Sequence, residues 1–245
     1  MKLANPFITI ITPTLNNKTE LQRTIDSVKN QNFTNYEHIV IDGGSTDGTV
    51  EFLNDNKAVT KWISEKDKGI YDAINKGIKL SSGKIINTIN AGDIYFSNNS
   101  LEIIRNYFIN SNVSFVFGAV KKGKVYHKYK PKKINWSFNF YPAHSGGFFV
   151  KKEIHDKIGL YSLKYPCSSD YDFFWRLIKK NKFYGVSTKK SEVISVFAPG
   201  GFSSQYGVYN HIWEETKIRL KNKQNFVIVY LIYFLRLIKN FNKFF

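Results

Sequence analysis

Only one cysteine, Cys167, occurs among the 245 residues, so the chain cannot form an internal disulfide. Cysteine and histidine residues also fail to cluster at the spacing of a zinc site. Residues 1–17 lack the long apolar stretch and the cleavage site that are typical of a signal peptide. These absences exclude a fold held by disulfides or structural zinc, and we expect a cytoplasmic protein.

Acidic residues are scarce relative to basic ones. The chain has 19 Asp and Glu against 36 Lys and Arg, which gives a formal net charge of +17. Such a charge is typical of proteins that bind nucleic acid, an anionic membrane surface or phosphorylated substrates. Many lysines are scattered among abundant Asn and Ile, however, and an AT-rich genome would give the same bias. Hydrophobic residues make up 42% of the chain, enough for a sizeable core.

The N-terminal half alternates strand and helix patterns. Apolar β-rich runs predict strands at 7–14, 38–41, 59–65 and 84–90. Apolar residues at helical spacing predict helices at 18–31, 47–56 and 69–81. This alternation predicts an α/β fold with a parallel sheet and helices on both faces. The second half is less regular, with a predicted hairpin over 114–129 that turns at Lys122-Gly123 and an amphipathic helix over 168–181.

Polar residues follow three of these strands at the point where each strand ends. Thr12-Pro13-Thr14 end the first strand, Asp42 follows the second, and Asn90 to Asp93 follow the fourth. Ligands of open parallel sheets bind beyond the carboxyl ends of the strands, so these segments together predict a binding site. A lone carboxylate such as Asp93 suits a hard cation, although aspartate is also common as a turn or cap residue.

Six motifs occur in order along the chain: ITPTLNN, IDGGSTDGT, SEKDKGIYDAINKGI, NAGD, HSGGFFVKK and SSDYDFFWRL. In this order and spacing they resemble the family 2 glycosyltransferases over residues 6–220. The resemblance implies the nucleotide-sugar-binding fold called GT-A, in which helices flank a mainly parallel central sheet. We divide the chain into a glycosyltransferase domain at 1–222, with a nucleotide-binding half at 1–98 and an acceptor-binding half at 99–222, and an amphipathic helical tail at 223–245.

For activity, the resemblance implies an inverting transfer of a sugar from a nucleotide-diphosphate donor, a UDP-sugar, to a hydroxyl of a lipid-linked saccharide. The forms DKGIYDAINKGI and NAGD are most similar to those of small bacterial enzymes that build surface polysaccharides. Two other classes remain open: an inactive scaffold, because the acidic motifs are thinned, and a basic nucleic-acid-binding module. No recognition-helix pattern or aromatic RNA-binding signature supports the second, so we expect no nucleic-acid partner.

The resemblance also implies a metal site for Mg²⁺ or Mn²⁺. NAGD occupies the place of the family's D-x-D-type motif, so Asp93 aligns with the acid that holds the cation. The earlier aspartate of that motif is replaced by small residues, Ala91 and Gly92. The cation would therefore depend on one carboxylate, the donor phosphates and water, with His211 as a further candidate ligand. Its task would be to neutralise the departing diphosphate.

Eight residues match positions that surround the nucleotide-sugar in the family: Thr12, Pro13, Asp42, Asp67, Asn90, Asp93, His144 and Gly146. Asp42 matches the residue that contacts the uracil or ribose, although a well-capped turn would also explain an aspartate there. Asp67 is a further candidate for the same contact. Gly146 would allow close approach of the donor sugar, and His144 beside it is either a ligand contact or a structural histidine.

The resemblance identifies Asp170, in SSDYDFFWRL, as the catalytic base that takes the proton from the acceptor hydroxyl. The residue before it is Ser169, where the family commonly has Glu. The alternative is that Asp170 is the N-cap of a helix whose first turn contains Asp172. We expect Asp172 to anchor that helix, through Arg176.

The C-terminal tail, 223–245, differs from the rest of the chain. Its apolar run, Phe226 to Leu235, is too short to span a bilayer as a helix. The aromatic and basic residues around it suit a helix that lies on an anionic membrane surface: Tyr230, Tyr233, Arg236, Lys239 and Lys243. A core helix or a dimer contact is the competing interpretation. With a lipid-linked acceptor, we expect peripheral attachment to the inner face of the cell membrane.

Overall fold

The computed structural model describes residues 5–135, 144–200 and 206–241. Its strands are β1 (Ile8–Thr14), β2 (Tyr36–Asp42), β3 (Lys61–Ser64), β4 (Ile85–Thr88), β5 (Ile94–Tyr95), β6 (Phe115–Phe117), β7 (Ala119–Lys122), β8 (Val125–His127), β9 (Phe148–Lys151), β10 (Gly185–Ser187) and β11 (Val193–Phe197). Its α-helices are α1 (Lys18–Lys29), α2 (Thr49–Asp55), α3 (Ile70–Leu80), α4 (Ser100–Ile109), α5 (Lys152–Ile158), α6 (Ser169–Phe174), α7 (Val208–Lys221) and α8 (Phe226–Lys239). A π-helix (Trp175–Lys180) continues α6.

Seven strands form the central sheet, in the order β10-β6-β9-β4-β1-β2-β3. All of its pairings are parallel except those of β9, which runs antiparallel to β4 and β6. The predicted α/β fold with a mainly parallel sheet is therefore confirmed. Because β1 lies between β4 and β2 and is parallel to both, the three polar strand ends lie at one edge of the sheet, where Thr14 is in register with Asp42.

Helices pack on both faces of this sheet because side chains alternate along each strand. From β1, Ile11 packs with Ile74 and Ile78 of α3 on one face, whereas Ile8 and Ile10 pack with residues of α1 and α4 on the other. These side chains are almost completely buried. Each contributes about 1.5–3 kcal/mol to folding relative to an exposed position, so the strand is anchored from both sides.

The predicted hairpin over 114–129 is shorter than expected because the chain changes sheet at Gly118. β6 belongs to the central sheet, whereas β7 joins a second sheet of order β5-β11-β7-β8. A Cβ atom at Gly118 would lie 2.6 Å from Cγ1 of Ile194, so only glycine fits this crossing. The hairpin is formed by β7 and β8 alone, and it turns at Gly123-Lys124 because Lys122 pairs with Val125.

The C-terminal helix α8 packs on α7. Val229 and Ile232 are its buried residues, and the Tyr233 ring meets the Trp213 ring edge-on at 5.9 Å. Arg236 of α8 forms an ion pair with Glu215 of α7, whose side chain is 1% exposed. Among the helices that the structure describes, none combines the length and the apolar character needed to cross a membrane. Residues 242–245 of the predicted tail lie outside the described residues.

Candidate active site

A cavity of about 920 Å³ opens at the carboxyl ends of the central strands. It brings together seven of the sequence-predicted residues: Pro13, Asp67, Asn90, Asp93, His144, Asp170 and His211. They come from the ends of β1 and β4, from the segments before α3 and β9, and from α6 and α7. The cavity therefore lies where a parallel sheet is expected to bind its ligand.

Two predicted residues, Thr12 and Gly146, point away from the cavity lining. The Thr12 hydroxyl lies 2.9 Å from Nε2 of His38 inside the sheet, and both residues are fully buried. A Cβ atom at Gly146 would lie 2.9 Å from Oγ of Ser195 in β11, so the close approach at this glycine is to the second sheet. A direct contact of either residue with the donor remains a prediction.

Asp42 is also outside the cavity lining, because its carboxylate holds the turn after β2. It accepts hydrogen bonds from the backbone N–H of Ser45 at 2.9 Å and from the Ser64 hydroxyl at 2.6 Å, and a further one from the Ser45 hydroxyl. The side chain is fully buried. This geometry is the capped turn that the sequence analysis gave as the alternative interpretation of Asp42. A contact of Asp42 with the base or ribose remains a prediction.

Asp67 lines the cavity from the segment before α3. Its Oδ1 accepts a hydrogen bond from the N–H of Gly69 at 2.8 Å. A Cβ atom at Gly43 would lie 2.7 Å from Oδ2, so the second oxygen is packed closely over the turn after β2. Glycine at position 43 therefore makes room for this carboxylate beside Pro13 at the end of β1.

Asp93 ends the turn after β4, and its side chain is 3% exposed. Oδ1 accepts a hydrogen bond from the Ala198 N–H at 2.8 Å, whereas the buried Oδ2 has no hydrogen-bond partner in the described part of the chain. Burial raises the pKa of this carboxyl to about 7, against the opposing effects of the Ala198 N–H and the Lys122 charge. An unpaired buried carboxylate oxygen is costly, so Oδ2 is suited to bind a ligand such as a cation beside the cavity.

The oxygen atoms at this turn fit a divalent cation. Oδ1 of Asn90 is likewise buried without a partner among the described residues. Carboxylate and amide oxygens are suitable ligands for Mg²⁺ and Mn²⁺. In residues 5–135, 144–200 and 206–241, no three His, Cys, Asp or Glu side chains group together as a metal site. A cation held by Asp93 and Asn90 would therefore need the donor phosphates and water as its other ligands.

Asp170 lies in the first turn of α6, where it is partly exposed to the cavity. Oδ1 accepts hydrogen bonds from the Tyr71 hydroxyl at 3.0 Å and from the Tyr171 N–H at 2.8 Å. No hydrogen bond from the described residues reaches Oδ2. Burial raises the pKa of this carboxyl to about 6, although the His211 charge and both hydrogen bonds oppose the rise. Asp170 therefore combines a fixed orientation with an oxygen that can accept a proton.

The structure also separates Asp170 from Asp172. The N-cap of α6 is Ser168, so the interpretation of Asp170 as the N-cap is wrong. Asp172 is 2% exposed and pairs with Arg176 at 2.9 Å, as expected, and with Lys221 of α7 at 3.1 Å. Both of its oxygens are engaged in ion pairs, which leaves Asp170 as the carboxylate of this segment that is directed to the cavity.

His211 faces Asp170, and the charge of each affects the pKa of the other. Burial disfavours protonation of His211, but Glu215 and Asp170 outweigh it and raise the pKa. Nδ1 of His211 lies 2.9 Å from Oε1 of Glu215. The other oxygen of Glu215, Oε2, forms an ion pair with Arg236. These side chains link the cavity to α8. Metal binding by His211 remains a prediction.

The loop before α6 is held by Glu214 of α7. This buried carboxylate accepts hydrogen bonds from the N–H groups of Cys167 at 3.0 Å and Ser168 at 2.9 Å through Oε2. Oε1 accepts a hydrogen bond from the Tyr206 hydroxyl at 2.6 Å. Glu214 therefore fixes the backbone that carries Asp170 into the cavity.

His144 lies opposite, on the side of the second sheet. Nδ1 accepts a hydrogen bond from the Gly146 N–H at 3.4 Å, and the ring packs edge-on against Phe197 at 4.7 Å. Burial lowers the pKa to about 3, with further lowering from the charges of Lys122 and His127. The imidazole is therefore neutral at physiological pH, so it contributes no positive charge to the cavity.

Two residues of the cavity were missed by the motif analysis. Tyr71 orients Asp170, and it stands inside a quoted motif, DKGIYDAINKGI, where an aromatic at the start of a helix gave no chemical signal. Lys122 lines the cavity from the end of β7. Its neighbours in the chain include so many lysines, in KKGKVYHKYKPKK, that the sequence could not single it out.

The sequence matches one protein family and several known proteins. A family model described as "Glycosyl transferase family 2" matches residues 9–165. The PGL/p-HBAD biosynthesis glycosyltransferase of Mycobacterium tuberculosis is 28% identical over 180 residues, which cover 70% of this chain and 69% of that protein. An uncharacterized glycosyltransferase of Haemophilus influenzae is 25% identical over 186 residues, which cover 72% and 63% of the two chains.

Solved structures share the fold at low sequence identity. Staphylococcus aureus TarS 1–349 in complex with UDP has a TM-score of 0.69 at 12% identity, covering 96% of this chain and 72% of that one. The mannosyltransferase PcManGT from Pyrobaculum calidifontis, in complex with GDP-Man and Mn²⁺, has a TM-score of 0.68 at 16% identity, covering 90% and 65%. The chain spans only 43% of a longer TarS chain. These likenesses confirm the predicted GT-A fold.

Proposed function

The chain belongs to glycosyl transferase family 2, and we propose that it transfers a sugar, with inversion, from a UDP-sugar to a hydroxyl of a lipid-linked saccharide. One observation carries the proposal above the others. A single cavity at the strand ends contains a proton-accepting carboxylate, Asp170, and a buried carboxylate, Asp93, whose Oδ2 has no hydrogen-bond partner among the described residues. A base and an anion-binding centre in one cavity are what a direct displacement requires.

The base acts on the acceptor. Asp170 Oδ2 takes the proton as the acceptor oxygen gives an electron pair to the anomeric carbon, and the bond from that carbon to the diphosphate breaks with its electrons on the diphosphate oxygen. Tyr71 and the Tyr171 N–H hold Oδ1, so the second oxygen keeps its direction toward the cavity. A pKa of about 6 leaves the carboxylate ionised at neutral pH yet more basic than an ordinary aspartate.

The diphosphate is expected to lie on the Asp93 side. Asp93 and Asn90 would hold a Mg²⁺ or Mn²⁺ ion, which when bound supplies positive charge to the departing diphosphate. The two structural neighbours support a nucleotide-sugar donor, because one binds UDP and UDP-GlcNAc and the other was solved with GDP-Man and Mn²⁺. The two neighbours were solved with different nucleotides, so the choice of UDP as the nucleotide of the donor needs a direct test.

Calorimetric titration of the protein with UDP, GDP, CDP and dTDP, each with and without Mn²⁺, makes that test. We expect one nucleoside diphosphate, UDP, to bind with micromolar affinity in the presence of Mn²⁺ and at least about tenfold more weakly without it. Preference for another base would change the donor and keep the enzyme class. Absence of binding to all four nucleotides would overturn the proposed function and favour an inactive scaffold.

We also propose that α8 attaches the protein to an anionic membrane, where a lipid-linked acceptor resides. The outer face of this helix carries six large apolar side chains that are about half exposed or more: Phe226, Val227, Leu231, Phe234, Leu235 and Ile238. Lys239 lies in the last turn of the helix, where Arg236 is instead paired with Glu215. Apolar insertion combined with basic residues is the physical basis of interfacial attachment, and the charge of +17 adds to it.

Vesicle flotation distinguishes this role from a helix that only packs against protein. We expect the double substitution Phe234→Ser and Ile238→Ser to lower binding to vesicles with anionic lipid by at least about tenfold, because two exposed apolar anchors are lost. Ile109→Ser, at an apolar position on α4 that is 53% exposed, is the matched control and should leave binding unchanged. Unchanged binding of the double variant would contradict membrane attachment through α8.

A further inference from the structure

Lys122 places a cation in the cavity at the end of β7. Its Nζ lies 4.6 Å from the centre of the Phe197 ring, and the side chain is partly buried. Neighbouring Lys121 points to the opposite face of the second sheet, where its Nζ lies 5.7 Å from the Tyr126 ring. Alternation along β7 therefore directs one of two adjacent lysines into the site and the other away from it.

Lys122 lines the same cavity as the two carboxylates Asp93 and Asp170. Asp93 and Asp170 both act on it electrostatically, although burial is the largest influence and lowers its pKa. Neither carboxylate is within 4 Å of Nζ, and among the described residues no carboxylate forms an ion pair with it. The other strongly basic lining residue, Arg23, pairs with Glu20 at 2.8 Å. Lys122 thus differs from Arg23 in having no carboxylate partner in the part of the chain described here.

A partly buried ammonium group without a carboxylate partner favours an anionic ligand. The ligand proposed above for this cavity carries a diphosphate, whose negative charge rises by one as the bond to the sugar breaks. NAGD has a single carboxylate, which contributes less negative charge to the cavity than two aspartates would. This motif therefore neutralises less of the positive charge of Lys122.

We propose that Lys122 binds the donor diphosphate and stabilises the negative charge that it acquires on departure. This inference rests on the proposed function, because it takes the nucleotide-sugar as the ligand. Lys122 makes its contact through N–H groups and transfers no proton. The electron pair of the broken bond stays on the diphosphate oxygen, and the acceptor proton goes to Asp170. A fixed cation at the leaving group acts most strongly where charge develops, so its main effect is on the chemical step.

A ligand series tests the contact by calorimetry with Mn²⁺ present, using uridine, UMP and UDP on the full chain. For Lys122→Met, which keeps an unbranched side chain as far as Cε and removes the charged Nζ, we expect unchanged uridine affinity and UDP affinity lowered about tenfold or more. We expect kcat to fall by about 10²-fold. Lys122→Arg should recover most of both losses, and Lys121→Met, the matched control, should equal the wild type.

A thermal melt of the ligand-free proteins accompanies the series. Because Lys122→Met removes an unpaired charge, its unfolding temperature should equal or exceed that of the wild type, so a loss of UDP affinity would not reflect misfolding. Wild-type UDP affinity in Lys122→Met, or an equal loss for uridine and UDP, would overturn the role of Lys122 and leave the proposed function standing. Absence of UDP, GDP, CDP and dTDP binding by the wild type would overturn both.

Discussion

Replacing Asp170 with Asn is expected to lower kcat for sugar transfer by about 10²- to 10⁴-fold while nucleoside diphosphate binding stays unchanged. The asparagine oxygen can still accept the hydrogen bonds of Tyr71 and the Tyr171 N–H, so the side chain should keep its position. What it loses is the ability to take a proton. Steady-state transfer assays and UDP titrations on the same preparation measure the two quantities separately.

Asp172→Asn is the matched control, two residues along the same helix. Its ion pairs with Arg176 and Lys221 would be weakened, so we expect a lower unfolding temperature but a kcat of the folded protein within a few-fold of the wild type. The reverse result, with kcat lost in Asp172→Asn and kept in Asp170→Asn, would show that the base has been assigned to the wrong carboxylate.

The pH profile gives an independent reading of the same group. Burial raises the pKa of Asp170 to about 6, and the base must be ionised to act. We therefore expect kcat, measured at saturating donor and Mn²⁺, to be level above about pH 7 and to fall tenfold for each pH unit below about pH 6, as the carboxylate becomes protonated. This acidic limb should be absent from the residual activity of Asp170→Asn. An identical limb in that variant would mean that another group controls it.

Replacing Asp93 with Asn is expected to abolish the Mn²⁺-dependent part of UDP affinity, a loss of about 10²-fold, together with most of the transfer activity. Asparagine can keep the hydrogen bond from the Ala198 N–H through its own Oδ1. The position of Oδ2, which has no partner among the described residues, would then carry an amide N–H₂ group that repels a cation. The loss should therefore be specific to the metal.

UDP titrations with and without Mn²⁺ measure this metal-specific loss of affinity. The pH dependence of the same titrations gives a second test of it. Burial raises the pKa of Asp93 to about 7, so protonation should weaken the Mn²⁺-dependent affinity as the pH falls through that value. The metal-free affinity of Asp93→Asn should match that of the wild type. If Mn²⁺ increases UDP affinity equally in both proteins, the cation is held by other residues.

Much of the fold was predictable because it depends on short-range patterns. Strand and helix positions in the N-terminal half followed from apolar periodicity, and the clustering of the Asp42 and Asn90–Asp93 segments followed from the rule that parallel strands end at one edge. The ion pair of Asp172 with Arg176 was predictable because residues four apart share a helix face. These inferences need no knowledge of long-range contacts.

The remaining features depend on contacts between distant parts of the chain. The sequence did not decide whether Asp42 caps a turn or contacts a ligand. Only the hydrogen-bond partners of its carboxylate, which include Ser64, show the capped turn. Lys122 enters the cavity because Gly118 moves the chain to a second sheet, which no local pattern marks. The support of Asp170 by Glu214 spans more than forty residues, as does the electrostatic effect of His211 on Asp170.

The ion pair between Arg236 and Glu215 also has a bearing on how the protein can be produced. A chain shortened before Asn225, to remove the apolar surface of α8 and ease purification, would lose the guanidinium that pairs with the buried Glu215. That carboxylate lies against His211, whose charge in turn acts on Asp170. Truncation would therefore alter the electrostatics of the catalytic cavity as well as the handling of the sample, and substitution of the exposed apolar side chains is the better route to a manageable preparation.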